Sequence, residues 1–184
     1  MPSVTIHLAI AKRYIEKGGA VTDSTMFYNG SVMPDLSLDK KSTHYGLRGE
    51  NENNLVLRMQ QKVDLRMFLS ENTLDNDLNL GRFLHLYADQ EYYNQMPNEY
   101  LLNTSLADFL NDAAFTLSFH DEHIRRKYKI DFNETTMSKE IDEEFARWRK
   151  PDPSSKLLLT KAEMDDYIER MSSVNILELA KAVE

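Results

Sequence analysis

The chain has no cysteine, only six glycines and five prolines, and one tryptophan in 184 residues. Without cysteine there is no disulfide framework and no thiolate metal site, so any metal must be held by histidine and carboxylate. Long apolar runs are also missing. Nothing approaches the roughly 20 residues that span a bilayer, and the stretch from Met1 to Lys17 is apolar only in short pieces, with no small-residue cleavage site. Neither a membrane span nor a signal peptide is expected, and a cytoplasmic location follows by default. Basic residues are in deficit: 22 Lys and Arg against 30 Asp and Glu give a net charge of −8. Such a chain is a poor nonspecific partner for nucleic acid or an anionic membrane. Apolar–polar alternation, internal repeats and low-complexity tracts are absent, which leaves no signal for a sheet or a solenoid.

Hydrophobic residues make up 41% of the chain and charged residues 28%, and the length suits one domain, 1–184, with a real core. Helical spacing recurs throughout. Val4, Leu8, Ala11 and Ile15 predict a first helix over 4–17, with Ser3 as N-cap and Gly18-Gly19 as its end. Asp23 or Ser24 starts a short helix over 25–32, which Pro34 should stop, leaving Asp35 just outside it. Residues 36–54 read as a long loop, of the kind that often carries function, with the island Ser42-Thr43-His44-Tyr45-Gly46 inside it. Leu55, Met59, Val63 and Met67 predict a helix over 54–70 with both methionines in the core.

A central helix, capped at Thr73 or Asp75, runs to Asn94. Leu102, Leu106, Phe109, Leu110, Ala113 and Leu117 point inward from one or two helices over 98–128. A helix over 136–149 and a last one opened by the capping box Thr160–Glu163 complete the chain. The expectation is an all-α, single-domain bundle of roughly seven helices.

The central helix holds the most informative pair. His85 and Asp89 stand one turn apart and leave the same face, so they can grip one metal ion from a rigid element. Gly81, one turn earlier, should leave that face open. The flanking Leu84, Leu86 and Ala88 predict burial, and a buried aspartate is costly unless it is paired or bound to metal. In chain order the candidate ligands are His7, Asp35, His44, His85 and Asp89. Histidine and carboxylate without thiolate suit Zn²⁺, with Mn²⁺ or Fe²⁺ as alternatives. One ion, or two sharing an aspartate, would carry a water whose pKa falls toward neutrality.

The order and wording of these segments resemble the zinc-dependent phospholipase C family, which includes the helical nucleases of the P1 type. His7-Leu8-Ala9-Ile10-Ala11-Lys12-Arg13 is similar to that family's opening histidine helix. Met33-Pro34-Asp35 and Ser42-Thr43-His44-Tyr45 resemble its Asp, spacer, Ser-x-His-aromatic segment. Leu80 to Asp89 resembles its Leu-Gly and His-x-x-x-Asp helix. The likeness covers about the first half of the chain.

It implies that Asp35, His44, His85 and Asp89 hold one zinc, that Asp89 bridges toward a second ion touched by His7, and that Asp35 doubles as general base or orients the attacking water. The implied activity is hydrolysis of a small phosphorylated substrate. The family's Pro-x-His stretch is replaced after Asp89 by Gln90-Glu91-Tyr92-Tyr93-Asn94-Gln95, and its later His-x-x-x-Glu pair is absent. A third ion is therefore not expected, and phospholipid is not implied as substrate.

Tyr45, Tyr92 and Tyr93 are candidate pocket walls, and Arg82 and Arg48 candidate phosphate ligands. Each has a simpler reading, as packing or as an ion-pair partner of one of the 30 acids. Two other functional readings remain. A non-catalytic helical scaffold would use the metal, or another ligand, only to staple its helices. An HD-type phosphohydrolase would use the His120-Asp121 doublet with His85 and with Asp142 or Asp165. Against that, His120-Asp121-Glu122-His123 is charged enough to be a solvated turn, with His120 or His123 at most an outer partner of the main site.

Overall fold

The structure, a computed structural model, describes residues 3–46, 55–60, 62–148, 152 and 154–183. Arg48 lies outside the described residues. Among them the fold is all-helical, with no strand: α1 (Val4–Glu16), α2 (Ser24–Leu36), α3 (Lys40–Thr43), α4 (Leu55–Gln60), α5 (Leu65–Glu71), α6 (Asp77–Asn94), α7 (Asn98–Leu102), α8 (Leu106–Lys127), a 3₁₀ turn (Phe132–Glu134), α9 (Ser138–Arg147), α10 (Lys161–Met171) and α11 (Ile176–Val183).

The all-α expectation holds, but the described residues form more helices than the roughly seven expected, because cap residues inside apolar stretches restart the helix. Asp64 accepts from the Met67 N–H and opens α5, so the single helix expected over 54–70 is two. The interruption resets the helical phase: Met59 is buried, but Met67 turns outward. Ser105 likewise opens α8 through the Asp108 N–H, and Leu102 and Leu110 are exposed rather than inward. Asn76, not Thr73 or Asp75, caps α6. Thr160 and Glu163 form the expected capping box, but the last stretch divides into α10 and α11 at the bends after Met171.

Helix α1 is central. Residues Val4 to Ala11 are all buried, not one stripe of them, because α2, α6, α8 and α10 pack around it. Gly18, at φ +86°, ends it. Its polar end is tied down by charge: Lys12 bonds Glu134 at 2.8 Å, and Glu169 of α10 takes Arg13 at 3.0 Å and Lys17 at 2.9 Å.

The most extensive helix pair is α2 with α6. Their backbones touch at Gly30 and Gly81. A Cβ on Gly30 would lie 2.0 Å from the Leu78 carbonyl oxygen, and one on Gly81 would lie 2.2 Å from that of Phe27. Gly81 therefore does not open the face of α6; the backbone of α2 fills it. Pro34 does not stop α2, which runs on to Leu36. A proline this late in a helix removes one N–H donor, whose acceptor would be the Gly30 carbonyl, and only two more helical residues follow it. Asp35 consequently sits inside the last turn of α2. No helix among the described residues is long and apolar enough to cross a membrane.

The crossing yields a prediction. Alanine at position 81 should gain up to about 1 kcal/mol of helix propensity and lose about 2 kcal/mol or more by forcing α2 and α6 apart. Urea unfolding of Gly81→Ala, and of Gly30→Ala, is expected to show net destabilisation. Equal or greater stability in both would contradict the close crossing.

Candidate metal centre

The five residues named as ligands meet at one place. α1 supplies His7, the last turn of α2 supplies Asp35, the C-cap of α3 supplies His44, and α6 supplies His85 and Asp89. None is more than 4% exposed. The His44 and His85 Nε2 atoms stand 3.2 Å apart. Asp89 Oδ2 lies 3.2 Å from His44 Nε2 and 4.0 Å from His85 Nε2. Asp89 Oδ1 lies 3.3 Å from His7 Nε2. Asp35 spans the same gap, with Oδ2 at 3.8 Å from His7 Nε2 and Oδ1 at 3.7 Å from His44 Nε2. The His7 and His85 rings stack, centroids 3.7 Å apart.

These contacts are close but not hydrogen-bonded in the ordinary way. His7 Nε2, Asp35 Oδ1 and both Asp89 oxygens lack a hydrogen-bond partner among the described residues. The histidine tautomers sharpen the point. His85 Nδ1 donates to the Ser31 carbonyl and His44 Nδ1 to the Lys40 carbonyl, each at 2.8 Å. A carbonyl only accepts, so both Nδ1 atoms carry the proton, and in neutral rings both Nε2 atoms present lone pairs to one another. Two facing lone pairs beside two buried carboxylates need a cation between them.

A proton or a metal ion can be that cation. Burial, with His7 adding, holds His85 well below its ordinary pKa, so this ring stays neutral. Burial also works against protonating His44, but Asp89 and Asp35 outweigh it and raise its pKa. Of these two rings, His44 is thus the easier to protonate at Nε2. Burial lifts Asp35 above the usual carboxylate range, facing Asp89 adds to this, and His7 and His44 oppose it. For Asp89, burial pushes the same way but His44 and His7 hold it well below that range.

The donor set fits a transition-metal ion. Around an ion with bonds of roughly 2.0–2.2 Å, neighbouring ligand atoms stand about 3–4 Å apart, and the separations here run from 3.2 to 4.0 Å. His7, Asp35 and His85 form one grouping able to hold an ion, and His44, His85 and Asp89 form another. His85 belongs to both, so each grouping has two imidazoles and one carboxylate, Asp35 with His7 and Asp89 with His44. The Nδ1 bonds of His44 and His85 supply the outer support that metal-ligating histidines use.

Of the other candidates, Tyr92 and Tyr93 lie near enough for Asp89 to add to the rise that burial gives both hydroxyls. Arg82 bonds Asn72, Asn79 and the Tyr45 hydroxyl, none of them in the cluster. Tyr92 and Tyr93 are packed in the core, edge to face with each other, and Lys62 donates to the Tyr93 hydroxyl at 3.1 Å. His120 is buried, which corrects the solvated turn expected there. It continues the inward row Phe109, Ala113, Thr116, His120, Ile124 of α8, and its Nε2 donates to the Leu159 carbonyl. Asp121 accepts from Thr5 and pairs with Arg125, while His123 pairs with Asp165. Among the described residues neither His120 nor Asp121 belongs to a grouping able to hold a metal, so the HD-type arrangement is not formed. Ser31, absent from the sequence reading, supplies the carbonyl that orients His85. Its signal was weak, being a backbone atom beside the glycine crossing.

No family model, curated protein or solved structure matches the chain.

A pH prediction follows for protein stripped of metal by a chelator. A carboxyl whose folded pKa is raised costs stability once pH exceeds its unfolded value, and that cost vanishes as pH falls back toward about 4. Asp35→Asn should therefore raise the melting temperature of stripped protein near pH 7–8, by an advantage that shrinks on acidification. A stripped variant less stable than the parent at pH 8 would show that Asp35 is not a buried, uncompensated charge.

Proposed function

We propose that this chain is a metal-dependent hydrolase of the phosphoester-cleaving type, with His7, Asp35, His44, His85 and Asp89 holding one or two divalent ions, Zn²⁺ first and Mn²⁺ or Fe²⁺ as alternatives. One observation carries the metal reading: five buried histidine and aspartate side chains, drawn from four helices, converge at ligand-to-ligand spacing, and three of them, His7, Asp35 and Asp89, hold atoms with no hydrogen-bond partner among the described residues. A bound ion would supply Lewis acidity toward a phosphoryl oxygen and an acidified water. The chain's own part is to hold that site dry and rigid and to manage the proton. Asp35, raised by burial, is the group suited to take a proton from water. Each of the two groupings offers three protein ligands, the number with which catalytic sites keep a position open. The likeness of the three motif segments to the zinc-dependent phospholipase C family supports the same chemistry and a small phosphorylated substrate.

The burial of all five residues favours a second reading, in which the ion only staples α1, α2, α3 and α6 together. Activity separates the two.

Protein purified without chelator should contain Zn²⁺ or take it up. His85→Ala and Asp89→Ala should each lower metal content at least tenfold by elemental analysis, and unchanged stoichiometry would mean the ligands lie elsewhere. Any proton on His44 Nε2 must leave for that nitrogen to ligate, so affinity should fall, and proton release on uptake should rise, as pH is lowered, measurable by calorimetry in buffers of different ionisation enthalpy. With metal bound, hydrolysis of generic phosphomono- and phosphodiesters should be detectable, and Asp35→Asn should abolish most of it while retaining metal. Metal uptake with no turnover under any tested ion would support the staple.

A further inference from the structure

Of the five clustered residues, His44 has the least secure support. Asp35, His85, Asp89 and His7 ride on helices of 13 or 18 residues, whereas His44 caps a helix of four. One turn of helix does not hold its own position. Lys40 ties its start to Glu144 at 2.7 Å, and Thr43 Oγ1, beside His44, donates to the Pro34 carbonyl at 3.0 Å. On the other side of His44 the tie is made by the next residue.

Tyr45 stands at φ +56°, a left-handed conformation that is costly for an aromatic residue. Gly46 follows immediately and would take a positive φ at no such cost; the strained residue is instead the one with a hydroxyl. The turn lets neighbouring side chains part, His44 into the cluster and Tyr45 onto Phe68 of α5, ring edge to face at 5.5 Å. The Tyr45 hydroxyl accepts from Asn72 Nδ2 at 3.0 Å and from Arg82 Nη2 at 3.2 Å. Arg82 Nη1 donates to Asn72 Oδ1 at 3.0 Å, closing a triangle, and its guanidinium lies over the Phe68 ring. Arg82 is on α6, three residues before His85. The helix that presents His85 and Asp89 thus also grips the residue next to His44.

We infer that Arg82, Asn72 and Tyr45 form a clamp that holds His44 against His85 and Asp89, so that Tyr45 and Arg82 are positioning residues for the metal centre. The purpose of the clamp rests on the metal reading above; its effect on His44 does not. Arg82, which the sequence offered as a phosphate ligand, is by this account engaged in building the site.

Tyr45→Phe tests it by removing one oxygen while keeping the ring, and Arg82→Lys keeps the charge but loses the fork. The first readout is the ¹⁵N-edited NMR signal of the His44 imidazole in metal-free protein. The parent should show one ring state with a slowly exchanging Nδ1–H; both variants should show broadened or doubled ring signals and faster exchange. The second readout is Co²⁺ titration followed by visible absorption. Both variants should bind roughly 10–100-fold more weakly, as loss of outer supports of metal ligands does, with an altered ligand-field band.

Unchanged His44 signals in Tyr45→Phe overturn the clamp, whether or not metal binds. A lower melting temperature with unchanged His44 signals and unchanged Co²⁺ affinity also overturns it, because the network would then only stabilise the fold. Disturbed His44 signals in a protein whose parent takes up no Co²⁺ uphold the clamp and remove the metal reading instead. If Arg82→Lys does not fold, Tyr45→Phe decides alone.

Discussion

The backbone contact between Gly30 and Gly81 governs what α2 and α6 can present to each other. With no Cβ on either residue, the two helices approach closely enough for the Ser31 carbonyl to reach His85 Nδ1. That bond fixes the tautomer of His85 and turns its other nitrogen inward. The same approach sets the last turn of α2 beside the middle of α6, so Asp35 and Asp89 share one set of histidine neighbours. A side chain at the crossing would separate the helices and, with them, the two carboxylates. α1 then closes one side with His7, and the α3 turn closes the other with His44.

What gathers there is costly by itself. Two buried carboxylates and three imidazoles have unmatched acceptors and no lysine or arginine in ion-pair contact with either carboxylate among the described residues. Folding tolerates such a cluster when a cation joins it. A proton on His44 is a partial remedy, because it answers one lone-pair clash and leaves oxygens of both aspartates unmatched. A divalent ion, as proposed above, would answer them together. The proposal therefore ties the stability of the fold to the occupancy of this cluster by a cation.

Much of this was legible in the sequence. Helical spacing gave the all-α class, and the order of His7, Asp35, His44, His85 and Asp89 named the side chains that meet. Their type carried the signal, since histidine and aspartate on apolar helices are expensive without a shared partner. Where the structure departs from these expectations, a tertiary neighbour decides what the local signal means. Pro34 marks the helix end only approximately, since two more residues complete the last turn after it. Gly81 suggests an open face unless another backbone fills it. His120 sits in a charged stretch, but the row from Phe109 to Ile124 carries it inward. Arg82 and Tyr45 looked like substrate contacts because their own partner, Asn72, lies in a connection with no motif of its own.

X-ray absorption at the zinc edge, on protein reconstituted with one equivalent of Zn²⁺ and dialysed, tests the central claim most directly. A first shell of nitrogen and oxygen at about 2.0–2.1 Å, with the outer scattering of two or more imidazoles, is the expected result. Zinc lost on dialysis, or a shell without imidazole, would contradict it.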